Sequence, residues 1–204
     1  MMSGKFRDGA IRRLWPAEAG ALRGHLLRLD ADSRYDRFAM SASDRFVTDY
    51  AGRCFGLDDV VYGFFVDGEL RGAGELRRVA GPDGPAGFDH LAEAAFSVER
   101  PWRRCGVGAE LMARIIRAAR NRRADRLYMS CLARNQAMRR LARKFAADLT
   151  VEPDDVAGAL DLAAPTAFTL VDESIDDAQG FATAMLDLQR RMFRMQSPVR
   201  ARIG

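Results

Sequence analysis

The chain has 204 residues, 48% of them hydrophobic and 29% charged, with a formal net charge of +4. That balance suits a soluble globular core of one domain, with room for an appended segment. No apolar run reaches membrane-spanning length, the N-terminus lacks a signal-peptide core, and Cys54, Cys105 and Cys131 lack metal or disulfide spacing, so a cytoplasmic protein without a metal is expected.

Residues 10–14 read as a short strand, and Pro16 stands where a first helical position tolerates proline. Ala19, Leu22, Leu26 and Leu29 then follow at the spacing of an amphipathic helix, and a shorter helix is expected over residues 43–50. The run Val60-Val61-Tyr62-Gly63-Phe64-Phe65-Val66 is an apolar strand ending at Asp67-Gly68, a pair that favours a type I′ hairpin turn. Residues 69–79 return as its antiparallel partner, and Gly81-Pro82-Asp83-Gly84-Pro85 ends the hairpin as a loop. Residues 88–98 form the next strand. The helix after it runs to about Arg122, with Leu111, Met112, Ile115, Ile116 and Ala119 on one face.

Residues 127–131 are a further strand, and residues 135–145 a helix burying Met138, Leu141, Ala142 and Phe145. A hairpin is expected from residues 149–151 and 156–162, turning around Glu152-Pro153-Asp154-Asp155. Residues 166–195 read as largely helical, since Phe181, Met185, Leu188 and Met192 recur at helical spacing, and residues 197–204 as a frayed tail. The order implies a mixed sheet with helices on its faces. The domain division expected is 1–164 for the catalytic unit and 165–204 for a helical extension.

The stretch from Glu93 to Met112 carries the chemistry. A strand enters an Arg-rich turn, Arg103-Arg104-Cys105-Gly106-Val107-Gly108, and a helix opens at once. Glycines let the backbone approach a ligand closely, and the unpaired amides and dipole of a helix N-terminus favour an anion. A phosphate-bearing ligand is therefore expected there. The arginines elsewhere are spread among acids, without the basic stripe and exposed aromatics that nucleic acid requires.

The turn resembles the Arg/Gln-x-x-Gly-x-Gly/Ala signature of the GNAT family of N-acetyltransferases, with Pro101 and Trp102 where that family often has a proline and an aromatic. A second block, Asn135-Gln136-Ala137-Met138-Arg139-Arg140-Leu141-Ala142-Arg143-Lys144-Phe145, is similar to the family's helix after its fifth strand. Two blocks at this spacing are far more specific than one glycine motif. Residues 29–38 and 92–96 also look like the matching stretches of bacterial protein-lysine acetyltransferase domains.

The resemblance implies an α/β (α+β) fold: a central, mostly antiparallel mixed sheet, splayed between its fourth and fifth strands, flanked by helices, with the C-terminal helical segment extra. It implies acetyl-CoA (CoA) as cofactor and an amine acceptor. Backbone amides of Cys105, Gly106, Val107, Gly108 and Ala109 would hold the pyrophosphate, flanked by Arg103 and Arg104. The strand edge at Phe96, Ser97 and Val98 would pair with the pantetheine arm. Asn135 would meet the cofactor from the far strand, with Met138 on the same helix.

Acetyl transfer to a lysine-like amine, with a reference pKa of about 10.4, needs a base. Glu93 is the first candidate, expected among apolar neighbours, and Glu75 the second; Glu99 is expected to be solvated. Many members place a tyrosine acid on the helix after the asparagine, where this chain has Ala142. Tyr128 lies too far back along its strand to replace it. His25 and His90 have no partners at ligand spacing, and Cys131 reads as packing. A non-catalytic acyl-CoA-binding or interaction domain of the same fold is the alternative; a Rossmann-type nucleotide fold fits poorly, since an antiparallel hairpin precedes the glycine turn. The apolar stripe of the last helix could be a homodimer seam or a cap over the acceptor cleft.

Overall fold

The computed structural model describes residues 9–78, 91–151 and 155–196, with side chains through 189. The loop expected at Gly81–Pro85, the start of the strand at 88–90 including His90, the turn at Glu152–Asp154, the Met192 side chain and the tail lie outside the described residues.

Among the described residues seven strands form one sheet: β1 (Gly9–Leu14), β2 (Val60–Val66), β3 (Glu69–Arg78), β4 (Leu91–Val98), β5 (Arg126–Leu132), β6 (Asp148–Val151) and β7 (Asp155–Asp161). Their order is β1-β2-β3-β4-β5-β7-β6, antiparallel throughout except for the parallel pair β4 and β5. All of β2 is buried, as its unbroken apolar run requires. Asp67 and Gly68 both take positive φ, 51° and 75°, so the turn has the primed geometry that matches strand twist.

Among the described residues six α-helices flank the sheet: α1 (Ala19–Arg28), α2 (Ala31–Phe38), α3 (Asp44–Gly52), α4 (Val107–Asn121), α5 (Gln136–Lys144) and α6 (Ala167–Gln196). Leu22 and Leu26 of α1 and Val47 and Ala51 of α3 bury one sheet face with Val61, Phe65, Leu70 and Ala73. Leu111, Met112, Ile115 and Ala119 of α4 bury the other with Tyr62, Phe64, Leu76, Ala94 and Leu127; Met138, Leu141 and Phe145 of α5 join that side.

Helix α2 is not evident from apolar periodicity, because its residues are mostly charged or polar. Its signal is a cap. The Asp30 carboxylate accepts from the Ser33 amide at 3.1 Å, and Ala39 closes the helix in the left-handed region at φ 53°. It packs against β4 and β5.

Helix α6 lies against β1 and α4. Its periodic stripe is not buried: Phe181, Met185 and Leu188 are exposed, and Phe181 lies edge-on to Trp15 at 6.5 Å. The buried face carries acids, and these meet arginines of the domain body.

Candidate functional site

Among the described residues the parallel pairing of β4 with β5 covers Leu91–Arg126, Ala92–Leu127 and Glu93–Tyr128. Beyond Glu93 the two strands part, β4 staying with β3 as far as Val98 and β5 with β7. The Glu99 amide bonds the Arg71 carbonyl at 3.0 Å, so by antiparallel alternation the backbone groups of Ser97 and Ala95 face β3. Those of Ala94, Phe96 and Val98 face the gap. This edge, its Val98 carbonyl taken by Arg103, leads straight into the glycine turn.

At the turn, Arg104 and Gly106 take positive φ, 65° and 92°, and Gly106 is the N-cap of α4. No side chain caps this end, and the first bond into the helix runs from the Glu110 amide to the Gly106 carbonyl at 3.1 Å. The amides of Val107, Gly108 and Ala109 thus have no acceptor within the helix. Gly108 faces α5, where an added Cβ would sit 3.7 Å from Leu141 Cδ2.

Arg103 is not the free cation expected. Its Nε donates to the Val98 carbonyl at 2.8 Å and its Nη2 to Ser33 Oγ at 2.7 Å, clasping the turn to β4 and α2. Arg100 adds bonds to Asp30 and Asp32 at 2.9 and 3.1 Å. Arg104 is exposed and makes no ion pair among the described residues. Cys105 is exposed, its thiol donating to the Trp102 carbonyl. Asn135 caps α5, its side-chain oxygen accepting from the Met138 amide at 3.0 Å, so its amide nitrogen is the end left for a ligand.

The two candidate carboxylates occupy opposite environments, and the expectation for Glu93 is corrected. Glu93 is exposed, not enclosed, because it sits where the strands part. Leu127 and Met129 point into the α4-side core, so Tyr128 and its register partner Glu93 project from the α2 side. The Tyr128 hydroxyl accepts from Arg126, back along the strand and away from the gap.

Glu75 is the enclosed one, 1% exposed. It accepts from Arg37 at 2.8 Å and from the Tyr50 hydroxyl at 2.7 Å, with Arg77 at 3.5 Å. Burial would raise its pKa, but the charge and hydrogen bond of Arg37, then Arg77 and Tyr50, outweigh it and hold the carboxyl below its ordinary range. Burial also raises the neighbouring Cys54 thiol to about 12, and the Glu75 charge adds to that rise.

Glu99 is corrected as well. It is buried, accepting from Arg28 at 3.1 Å and Arg71 at 3.0 Å. His25 lies between Glu99 Oε1, 3.1 Å from Nδ1, and Ser97 Oγ, 2.9 Å from Nε2. Burial lowers the His25 pKa despite the carboxylate, so the ring is neutral, with Nδ1–H donating to Glu99 and Nε2 accepting from Ser97. The Ser97 side chain is therefore held by α1 and turned away from the gap.

This neutral ring makes stability pH-dependent. Below the unfolded value of 6.5 the unfolded chain takes up a proton that the native ring resists, so stability falls as pH falls. From pH 7 to 5.5 stability is therefore expected to fall. Thermal unfolding across that window should show it, and His25→Gln should flatten it; a flat parent curve would contradict the assignment.

A cavity of about 550 Å³ opens beside α2, lined in part by Asp32, Tyr35, Met40 and Arg134. Arg134, on the β5–α5 loop, pairs with Asp36 at 3.0 Å and stacks on Tyr35 at 4.9 Å. Among the described residues no cluster of His, Cys, Asp and Glu could hold a metal, and no helix is long and apolar enough to cross a membrane.

The fold is shared with solved structures of low sequence identity. The GNAT domain of S. lividans PAT is 24% identical, with a TM-score of 0.67 over 76% of this chain and 90% of that one. The Salmonella typhimurium protein yncA, solved with its cofactor acetyl-CoA, is 18% identical, with a TM-score of 0.58 over 79% and 99%. The ribosomal-protein-alanine N-acetyltransferase of Brucella melitensis is 20% identical, with a TM-score of 0.59 over 75% and 99%. Among curated protein sequences there is no significant match. The sequence model of the acetyltransferase (GNAT) family matches residues 25–147, a span holding the parted strands, the glycine turn and the Asn135 helix, and the chain belongs to that family.

Proposed function

We propose that this chain transfers the acetyl group of acetyl-CoA to a primary amine, on a small molecule or a protein lysine, with Glu93 as general base. The observation that carries the reading is the free β4 edge, which joins an exposed carboxylate at one end to an uncapped helix start at the other. The edge supplies backbone partners for the pantetheine arm, and the α4 amides supply them for the pyrophosphate. Arg103 acts by holding the turn in shape; Arg104 is the cation left for phosphate.

The acceptor approaches from the α2 side, where Glu93 projects. Its nitrogen gives up a proton to Glu93, directly or through a water, and attacks the thioester carbonyl. The new carbonyl oxyanion takes a hydrogen bond from a gap-facing β4 amide. Collapse expels the CoA thiolate, which is protonated by water, since Ala142 is buried and the Tyr128 hydroxyl is turned away. The three free thiols fit the reducing cytoplasm of a bacterial cell.

Calorimetry with acetyl-CoA should give a dissociation constant on the order of micromolar. Thiol-release assays across amines and lysine peptides should show CoA production with at least one. No binding by folded protein would remove the reading. Binding without release to any acceptor would favour the second reading, a non-catalytic acyl-CoA-binding domain, for which Ala142 in the place of the family's tyrosine is the specific observation.

A further inference from the structure

Helix α6 is amphipathic in the reverse of the usual sense. Its inward face is acidic: Asp177 pairs with Arg13 at 2.7 Å, Glu173 with Arg122 at 2.9 Å, and Asp176 with Arg114 at 3.0 Å and also with Arg117, which holds Asp172 too. Buried Gly180 lets the helix lie close on β1, since a Cβ there would come within 3.0 Å of Arg12 Cβ. These contacts leave the acids facing the domain and the large apolar residues facing out.

The outward face is continuous. Phe168, Val171, Ile175, Ala178, Ala182 and Met185 follow at alternating steps of three and four, the heptad spacing of a coiled-coil seam. Phe168 is 77% exposed, Val171 56%, Ile175 51% and Met185 45%. Together with the flanking exposed leucines, the face offers on the order of 800 Å² of apolar surface. A typical monomer's largest patch is roughly 300–600 Å², whereas a standard dimer buries about 800 Å² per partner.

The charge pattern selects the occupant. Residues 167–189 contain no lysine or arginine, and the arginines of the helix, Arg190, Arg191 and Arg194, follow the seam in sequence rather than flank it, unlike the cations along a helix that lies on anionic lipid. Its seam carries no charge of either sign, so two copies can face each other without repulsion. The seam is also symmetric about Gly180, with small residues at 178 and 182 and large ones at 175 and 185.

We infer that α6 pairs antiparallel with α6 of a second copy of this chain about a two-fold axis near Gly180. Ala178 then packs on Ala182 of the partner subunit and Ile175 on Met185 of the partner subunit. The interface is isologous and the helix dipoles oppose. It lies on the β1 side of the sheet, away from the gap between β4 and β5.

Sedimentation of the full chain from roughly 1 to 100 μM tests this. The expected mass plateaus at twice 22.7 kDa, with a dissociation constant below about 10 μM. I175K and M185E should each weaken the dimer at least about 30-fold without changing circular dichroism or Tm by more than a few degrees. The double variant I175K/M185E should restore pairing, because the antiparallel register sets the two introduced charges against each other. A chain that stays at 22.7 kDa, including one that then sediments with phosphatidylglycerol vesicles, overturns the proposal. Mass that grows without a plateau, a dimer indifferent to I175K, or failure of the double variant to recover overturns it as well.

Discussion

Glu93→Gln is expected to lower kcat by about 10²-fold or more, while KM for acetyl-CoA stays within about twofold. The reason lies in where the strands part. Glu93 is the last β4 residue paired with β5, and its side chain projects on the α2 side, from which an acceptor can approach. Gln keeps the size and hydrogen-bonding reach of the side chain but cannot take a proton, so the loss falls on the chemical step. The cofactor's expected contacts are main-chain groups further along β4 and at the α4 start, and these are untouched. Steady-state kinetics with the best acceptor from the panel would check it. Unchanged turnover would place the base elsewhere, or leave proton removal to solvent.

Glu75→Ala should act on stability instead. Glu75 is the shared acceptor of Arg37 and Tyr50, with Arg77 as a further counter-charge, and it joins β3 to α2 and α3. Removing it leaves the Arg37 guanidinium buried without its counter-charge. Breaking a buried pair in that way costs about 3–5 kcal/mol, or roughly 10 °C in Tm for a chain of this size. Because its folded pKa is lowered, the carboxylate's contribution is complete above the ordinary value of 4.5 and is lost as the pH falls below it. The parent should therefore lose stability in acid below about pH 4.5, and Glu75→Ala should lose less over the same range. Calorimetric unfolding of both proteins from pH 7 to 4 reads this. An alanine variant as stable as the parent would show that the buried pair contributes nothing net.

These two carboxylates mark how far the site was legible in sequence. Both were visible as acids on the strands beside the glycine turn. Which one was enclosed was not, because enclosure depends on α2. That helix brings Arg37 over Glu75, and its charged sequence hides it from apolar periodicity. His25 is likewise 72 residues from Ser97 and 74 from Glu99 in the chain, and only the packing of α1 on the sheet makes the three one buried hydrogen-bonded group. Arg103 looked like a phosphate ligand beside the glycines, but the end of β4 and Ser33 lie close enough to claim it.

What the sequence determined by itself was the order of the strands and of every helix but α2, the primed turn at Asp67-Gly68, the core stripes of α1, α4 and α5, and the two motif blocks of the family. Each rests on local physics: side-chain periodicity, left-handed backbone preferences and the spacing of residues around one turn. The tertiary structure alone decided which charges are buried and paired, that the expected parting of β4 and β5 comes after Glu93, and that α6 turns its acids inward. A helix pattern shows two unlike faces without saying which one meets the body. Here Arg13, Arg114, Arg117 and Arg122 settle it, by drawing the acidic face in and leaving the apolar one to the outside.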